Sequence, residues 1–157
     1  MKIKIKPLAF LIILLFFGGI MATELTGVWN TESNKTPRKI EEGDFKGENK
    51  PEDIKGSFAF GEISKLYDIP LEDLAKAFSI DTNQVENFKC KELEANYENQ
   101  EFEIGTNSVR VFVAFYKGID FLSDEESYLP KTASDIIIKN GKPTDKQIEY
   151  LKTHTIN

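Results

Sequence analysis

The chain has 157 residues, 20 basic and 26 acidic side chains and a single cysteine, a length that suits one small domain. Beyond Lys6 the balance is 17 basic residues against 26 acidic ones, a net of −9, so the body repels phosphate backbones and nucleic acid is excluded as a partner. One cysteine, Cys90, cannot make an internal disulfide, a thiolate zinc site or an iron–sulfur cluster.

Lys2, Lys4 and Lys6 precede PLAFLIILLFFGGIMA at 7–22, sixteen residues without a charge or a hydrogen-bonding side chain. This is the grammar of an export signal or membrane anchor, and the basic flank places the N-terminus in the cytoplasm with the body outside. A helix of that length reaches only about 24 Å, short of a roughly 30 Å hydrocarbon core. Ala22 offers a small residue before a cut, but Ile20 stands where a second one is wanted. A retained, single-pass anchor at 1–25 that contacts the bilayer through 7–22 is therefore the favoured expectation, with secretion the outcome if the segment is cleaved.

Residues 26–52 (TGVWNTESNKTPRKIEEGDFKGENKPE) lack any sustained period and read as an extended polar tether, with Trp29, Ile40 and Phe45 its only large apolar groups. Trp29 suits a packing anchor or an interfacial position better than a ligand platform. The globular domain is expected over 53–157. Phe60, Ile63, Leu66 and Tyr67 recur at helical steps, Asp68 breaks the pattern, and Pro70 opens a second helix with Leu71, Leu74, Ala75 and Phe78 on one face. The polar stretch 81–103 contains two short runs, 88–93 and 101–104, that predict brief strands. Asn107 or Ser108 then caps VRVFVAFYK, which Gly118 ends; β-branching at Val109, Val111 and Val113 makes a strand the rival, but cap and glycine favour a helix at the centre of the core. Pro130 and Gly141 bracket TASDIIIK, and Thr144 with Gln147 forms a capping box for DKQIEYLKTH, giving a second hairpin with Ile136, Ile137, Ile148 and Leu151 as its buried contacts. The fold class expected is mainly α with minor β: one N-terminal transmembrane or signal helix, then a small domain of two helical hairpins.

Site chemistry is sparse. The first hairpin has the outline of a DNA-reading motif, but its second helix offers Glu72, Asp73 and Lys76 where base readout needs a more basic surface. The one histidine, His154, reads as a solvated tail residue, and the neighbours Glu41-Glu42, Glu72-Asp73 and Asp124-Glu125-Glu126 as solvated faces. The last triplet lacks the spacing and turn glycine of a calcium loop. Cys90 reads as a half-buried, apolar-like side chain. No catalytic, metal or cofactor-binding residue is assigned and no cofactor is expected.

The phrases TGVWNTES, TPRKI, DIKGSFAFGEISKLYDIPLEDLAKAF and SVRVFVAFYKGI with YLP, spread over 26–153, resemble a poorly characterised extracytoplasmic domain of bacterial, mostly clostridial, membrane proteins, some of which join it to ferredoxin-type or cytochrome-b-like membrane modules. That resemblance implies an accessory role beside a membrane protein partner of a redox complex. The stretch IKGSFAFGEISKLYDIPLEDLAKAFSI is also similar to a LysM module in its order of extended start, helix, turn and helix, although Gly56-Ser57-Phe58 replaces the usual Gly-Asp-Thr opening. This second likeness implies binding to cell-wall glycan.

Overall fold

The computed structural model describes residues 36–98, 102–121 and 126–156. The expectations for the apolar run at 7–22 and for Trp29 lie outside the described residues; among the described residues, no helix is long and apolar enough to cross a membrane. The fold is small, globular and mainly helical.

Helix α1 (Phe60–Tyr67) buries Phe60, Ile63 and Tyr67, the positions its three- and four-residue spacing selects. Asp68 ends it in the left-handed conformation (φ 54°) and returns its N–H to the Ser64 carbonyl, a cap normally built on glycine or asparagine. Helix α2 (Leu71–Ala77) starts one residue after Pro70, which is its N-cap. Leu74, Ala75 and Phe78 face the core.

The strand expected at 88–93 shrinks to one antiparallel bridge, Ala59 with Lys89, because the chain turns at once into a 3-10 turn (Cys90–Glu92) and the one-turn helix α3 (Leu93–Asn96). Around this bridge the backbone has a local twofold pattern with a 30-residue offset. Phe60 N–H donates to the Phe88 carbonyl and Cys90 N–H to that of Phe58; Gly61 N–H donates to Glu86 and Lys91 N–H to Gly56. The outward N–H groups of Ala59 and Lys89 are covered by the carboxylates of Glu62 (2.8 Å) and Glu92 (3.0 Å). Phe58, Glu62, Ile63 and Tyr67 thus correspond to Phe88, Glu92, Leu93 and Tyr97, so one short motif is used twice. The other expected strand, at 101–104, does not form at residues 102–104.

Helix α4 (Thr106–Lys117) is the centre of the core and buries seven of its 12 residues. Its start lies two to three residues before the expected one: Gly105 is the N-cap and Ser108, in the first turn, accepts the Gly105 N–H at 3.2 Å. The helix wins over the β-branched valines because tertiary burial, with Val109, Val111 and Val113 all under 3 % exposed, outweighs propensity differences of a few tenths of a kcal/mol. Helix α5 (Lys131–Asn140) and helix α6 (Asp145–Thr153) follow. The expected box is present: Thr144 Oγ1 accepts the Gln147 N–H at 3.3 Å and Gln147 Oε1 the Thr144 N–H at 2.9 Å. The second hairpin differs from expectation in its packing, because α5 lies principally on α2 and α4 and not on α6. Ile137 and Leu151 are buried, Ile136 and Ile148 only half-buried. A short parallel pair, β1 (Leu129–Pro130) and β2 (Thr155–Ile156), ties the end of the described chain to the start of α5.

The described part of the segment expected as tether, 36–52, is held against α1. Lys39 bridges Asn49, Tyr67 Oη donates to the Lys50 carbonyl at 2.9 Å, Asn49 Nδ2 donates to the Leu66 carbonyl, and Ile40 and Phe45 pack on the core. Arg38 grips Asp53 with Nε (2.9 Å) and Nη2 (2.8 Å), which holds the Asp53 carboxyl below its ordinary range. A lowered carboxylate stabilises above the unfolded group's range and loses that contribution as pH falls through the folded one. Asp53→Asn is therefore expected to speed hydrogen exchange at the Lys50 amide, which donates to the Arg38 carbonyl, at neutral pH. The difference from the parent should vanish in strong acid, and equal exchange at neutral pH would refute the pin.

Candidate functional site

Five rings run from the core to the surface. Phe115, in α4, meets Tyr150 edge-on (centroids 5.5 Å apart); Tyr150 stacks on His154 (3.7 Å, 8° between planes); His154 lies 5.3 Å from Tyr128, and Tyr128 stacks on Phe102 (3.8 Å, 17°). The row exists because α6 presents Tyr150 and its cap residue His154 four residues apart, on one face. The Tyr150 hydroxyl donates to the Ser127 carbonyl at 2.8 Å and accepts the Ser127 N–H at 3.2 Å; burial raises the phenol's pKa, so it stays a neutral donor.

His154 is thus not the solvated tail residue expected. Its side chain is 19 % exposed, Nδ1 is 2.7 Å from Thr153 Oγ1 and 3.0 Å from the Tyr150 carbonyl, and Nε2 is 3.5 Å from Glu126 Oε1. The reason is the β1 and β2 pairing, in which Leu129 N–H donates to the His154 carbonyl at 2.9 Å.

Two depressions adjoin the row. Glu103 and Glu126, chain neighbours of Phe102 and Ser127, line a notch of about 60 Å³ with Asn107 and Ser127. At the Phe115 and Tyr150 end a cleft of about 190 Å³ has Val111, Phe115, Phe121 and Tyr150 as apolar walls and Asp120 and Lys146 among its lining residues. Gln147 also lines the cleft, but its amide is committed, donating to the Ile119 carbonyl at 2.7 Å. The face combines carboxylates, half-buried aromatic rings and an apolar recess.

The buried polar groups elsewhere are spent on holding helices together. Asp73, expected on a solvated face beside Glu72, is 9 % exposed. Its carboxylate accepts the Tyr116 hydroxyl at 2.8 Å and the Asn140 amide at 3.0 Å, joining α2, α4 and α5. Burial, with the Asp73 bond and charge behind it, pushes the Tyr116 phenol up to about 12, so it remains the donor. Glu72 is exposed as expected, and so are Glu41 and Glu42; Asp124 and Glu125 lie outside the described residues, while Glu126 belongs to the face above.

Cys90 is fully buried where half-burial was expected, and burial pushes its thiol up to about 12. A thiol so placed is inert. Maleimide labelling of native protein at neutral pH is expected to be negligible and to become complete in denaturant; rapid native labelling would contradict this burial.

Comparisons with protein-family models, with curated proteins and with solved structures found no match. The signals that could have exposed the face in the sequence are the aromatic spacing Tyr150 to His154 and the doublet Ser127-Tyr128 just before Leu129-Pro130, neither of which is a motif of known chemistry.

Proposed function

We propose that this chain is a membrane-anchored, extracytoplasmic, non-catalytic interaction module that docks on a membrane protein, an accessory to a redox complex of the membrane. The observation that carries the reading is the surface face just described, standing on a body with the basic, then uncharged apolar N-terminal sequence of an anchor. A second support is the use of buried polarity: Asp73, Gln147 and Asn49 each tie one element to another, which serves the rigidity of a docking body. Affinity purification of the full chain from gently solubilised membranes is expected to recover a stable membrane partner. Recovery of the chain alone in several mild detergents would refute docking.

The anchor makes its own prediction. With 7–22 retained, the protein stays in the membrane pellet through high-salt and alkaline washing, and mass spectrometry finds an intact N-terminus. A mature chain beginning at Thr23 would replace the anchor with secretion.

One observation favours a second reading, glycan binding in the manner of a LysM module. The Ala59 and Lys89 bridge closes α1 and α2 into an extended, helix, helix, extended order. Retention on purified peptidoglycan would favour this reading over docking.

A further inference from the structure

We infer that the aromatic face is the docking surface and that it receives a segment of the partner in which a lysine or arginine stands beside an aliphatic side chain. The inference rests on the docking reading and adds to it the place and the chemistry of the contact.

The commitment to a cationic, aliphatic segment comes from charge and shape. Glu103 and Glu126 line one notch, both exposed, and among the described residues neither has a lysine or arginine paired to it. Other exposed glutamates, Glu41 and Glu42 among them, likewise have no lysine or arginine within 4 Å in the described structure; what sets this pair apart is that both line one notch beside aromatic rings. Two carboxylates lining one small notch make it anionic, and a cation seated there is attracted by both. Beside the notch stand the half-buried rings of Phe102 and Tyr128, whose faces and edges suit the methylene stem of a lysine or the plane of a guanidinium.

The row continues through His154 to Tyr150, and Tyr150 is a wall of the 190 Å³ cleft. That volume, walled by Val111, Phe115 and Phe121, matches one leucine- or isoleucine-sized side chain. An anionic notch, an aromatic ridge and an apolar recess in sequence fit a basic residue and an aliphatic residue of one extended strand or loop. The net of −9 beyond Lys6 favours approach of such a segment at long range.

The test uses the full-length chain in mild detergent micelles and, as probe, a fluorescent amidated peptide repeating lysine-serine-leucine-serine, which when extended puts lysine and leucine on one face, read by anisotropy. Glu103→Gln with Glu126→Gln is expected to weaken binding about tenfold, the effect of two partly exposed ion pairs. Glu41→Gln with Glu42→Gln, which removes the same charge from another part of the surface, is expected to leave binding within about twofold. Both double variants should melt like the parent, since all four side chains are exposed. Equal binding by the Glu103/Glu126 variant, an equal loss in the Glu41/Glu42 variant, or equal affinity for a peptide repeating glutamate-serine-leucine-serine overturns the assignment.

The same variants separate this inference from the docking reading. A partner that copurifies undiminished with the Glu103/Glu126 double variant leaves docking standing and removes this surface. A chain that recovers no partner with any variant removes docking itself, and the peptide titration then decides whether the face binds such segments at all.

Discussion

Phe112→Ala is expected to destabilise the body by about 3–5 kcal/mol, the range for deleting a buried ring from a packed core. Phe112 is wholly inaccessible. It meets Phe78 at 5.5 Å with planes inclined by 67° and Tyr116 at 5.7 Å, while Phe78 in turn meets Phe60 at 5.6 Å. Removing the ring empties the junction between α1, α2 and α4 and takes a large part of the roughly 5–15 kcal/mol a domain commonly has. Glu72→Gln, on the exposed side of α2, should change stability by less than about 0.5 kcal/mol. Thermal and urea melts of the two variants check both halves. If Phe112→Ala melts with the parent, α4 is not the centre of the core.

The helices were legible because their signals are local. Apolar spacing marks α1 and α2, a proline or a capping box starts α5 and α6, and glycine or an αL aspartate stops α1 and α4. What the sequence hid is non-local. Ser108 reads as an N-cap, but the backbone bond it accepts comes from Gly105, so the helix begins earlier than the side-chain type suggests. Asp73 looks solvated because it follows Glu72, yet its two neutral donors come from residues 43 and 67 positions away, a distance at which no pattern announces a partner. Residues 88–93 have strand-like composition, but the bridge there ends after one residue because Glu92 covers the Lys89 N–H and the chain coils inward with Cys90.

The duplicated motif could have been found. Phe58, Glu62, Ile63 and Tyr67 recur as Phe88, Glu92, Leu93 and Tyr97, and the physical content is an aromatic that packs beside the bridge and a glutamate four residues on that caps the outward N–H. A search for self-similarity at a 30-residue offset exposes the pattern. The aromatic face had no such repeat, since its rings and carboxylates come from four separate stretches joined by non-local contacts: the pairing of β1 with β2, the Tyr150 hydroxyl on Ser127 and the stacking of Tyr128 on Phe102.

The loop between α5 and α6 also meets the end of α4 directly, and Gly118 is where that approach is close. Gly118 closes α4 in the left-handed conformation (φ 73°), and a side chain there would put a Cβ 2.5 Å from the Lys142 carbonyl oxygen. This carbonyl cannot withdraw easily, because the Lys142 N–H donates to the Tyr116 carbonyl at 2.9 Å and so fixes the loop between α5 and α6 against the end of α4. Gly118→Ala therefore carries two costs, about 1–2 kcal/mol for an L-residue in the left-handed region and a further backbone displacement. Together they are expected to reach about 2–4 kcal/mol, in the tail of single-substitution effects. Gly43 provides the control, since it too has a positive φ (82°) but open space where a Cβ would stand. Gly43→Ala should show only the conformational cost of about 1–2 kcal/mol, so the difference between the two melts measures the steric displacement alone. Gly118→Ala should also speed hydrogen exchange at the Lys142 amide, whereas Gly43→Ala should leave that amide as protected as in the parent. Equal destabilisation by the two substitutions, with Lys142 protected in both, would mean that the loop yields freely and that the end of α4 does not position the α5 and α6 region.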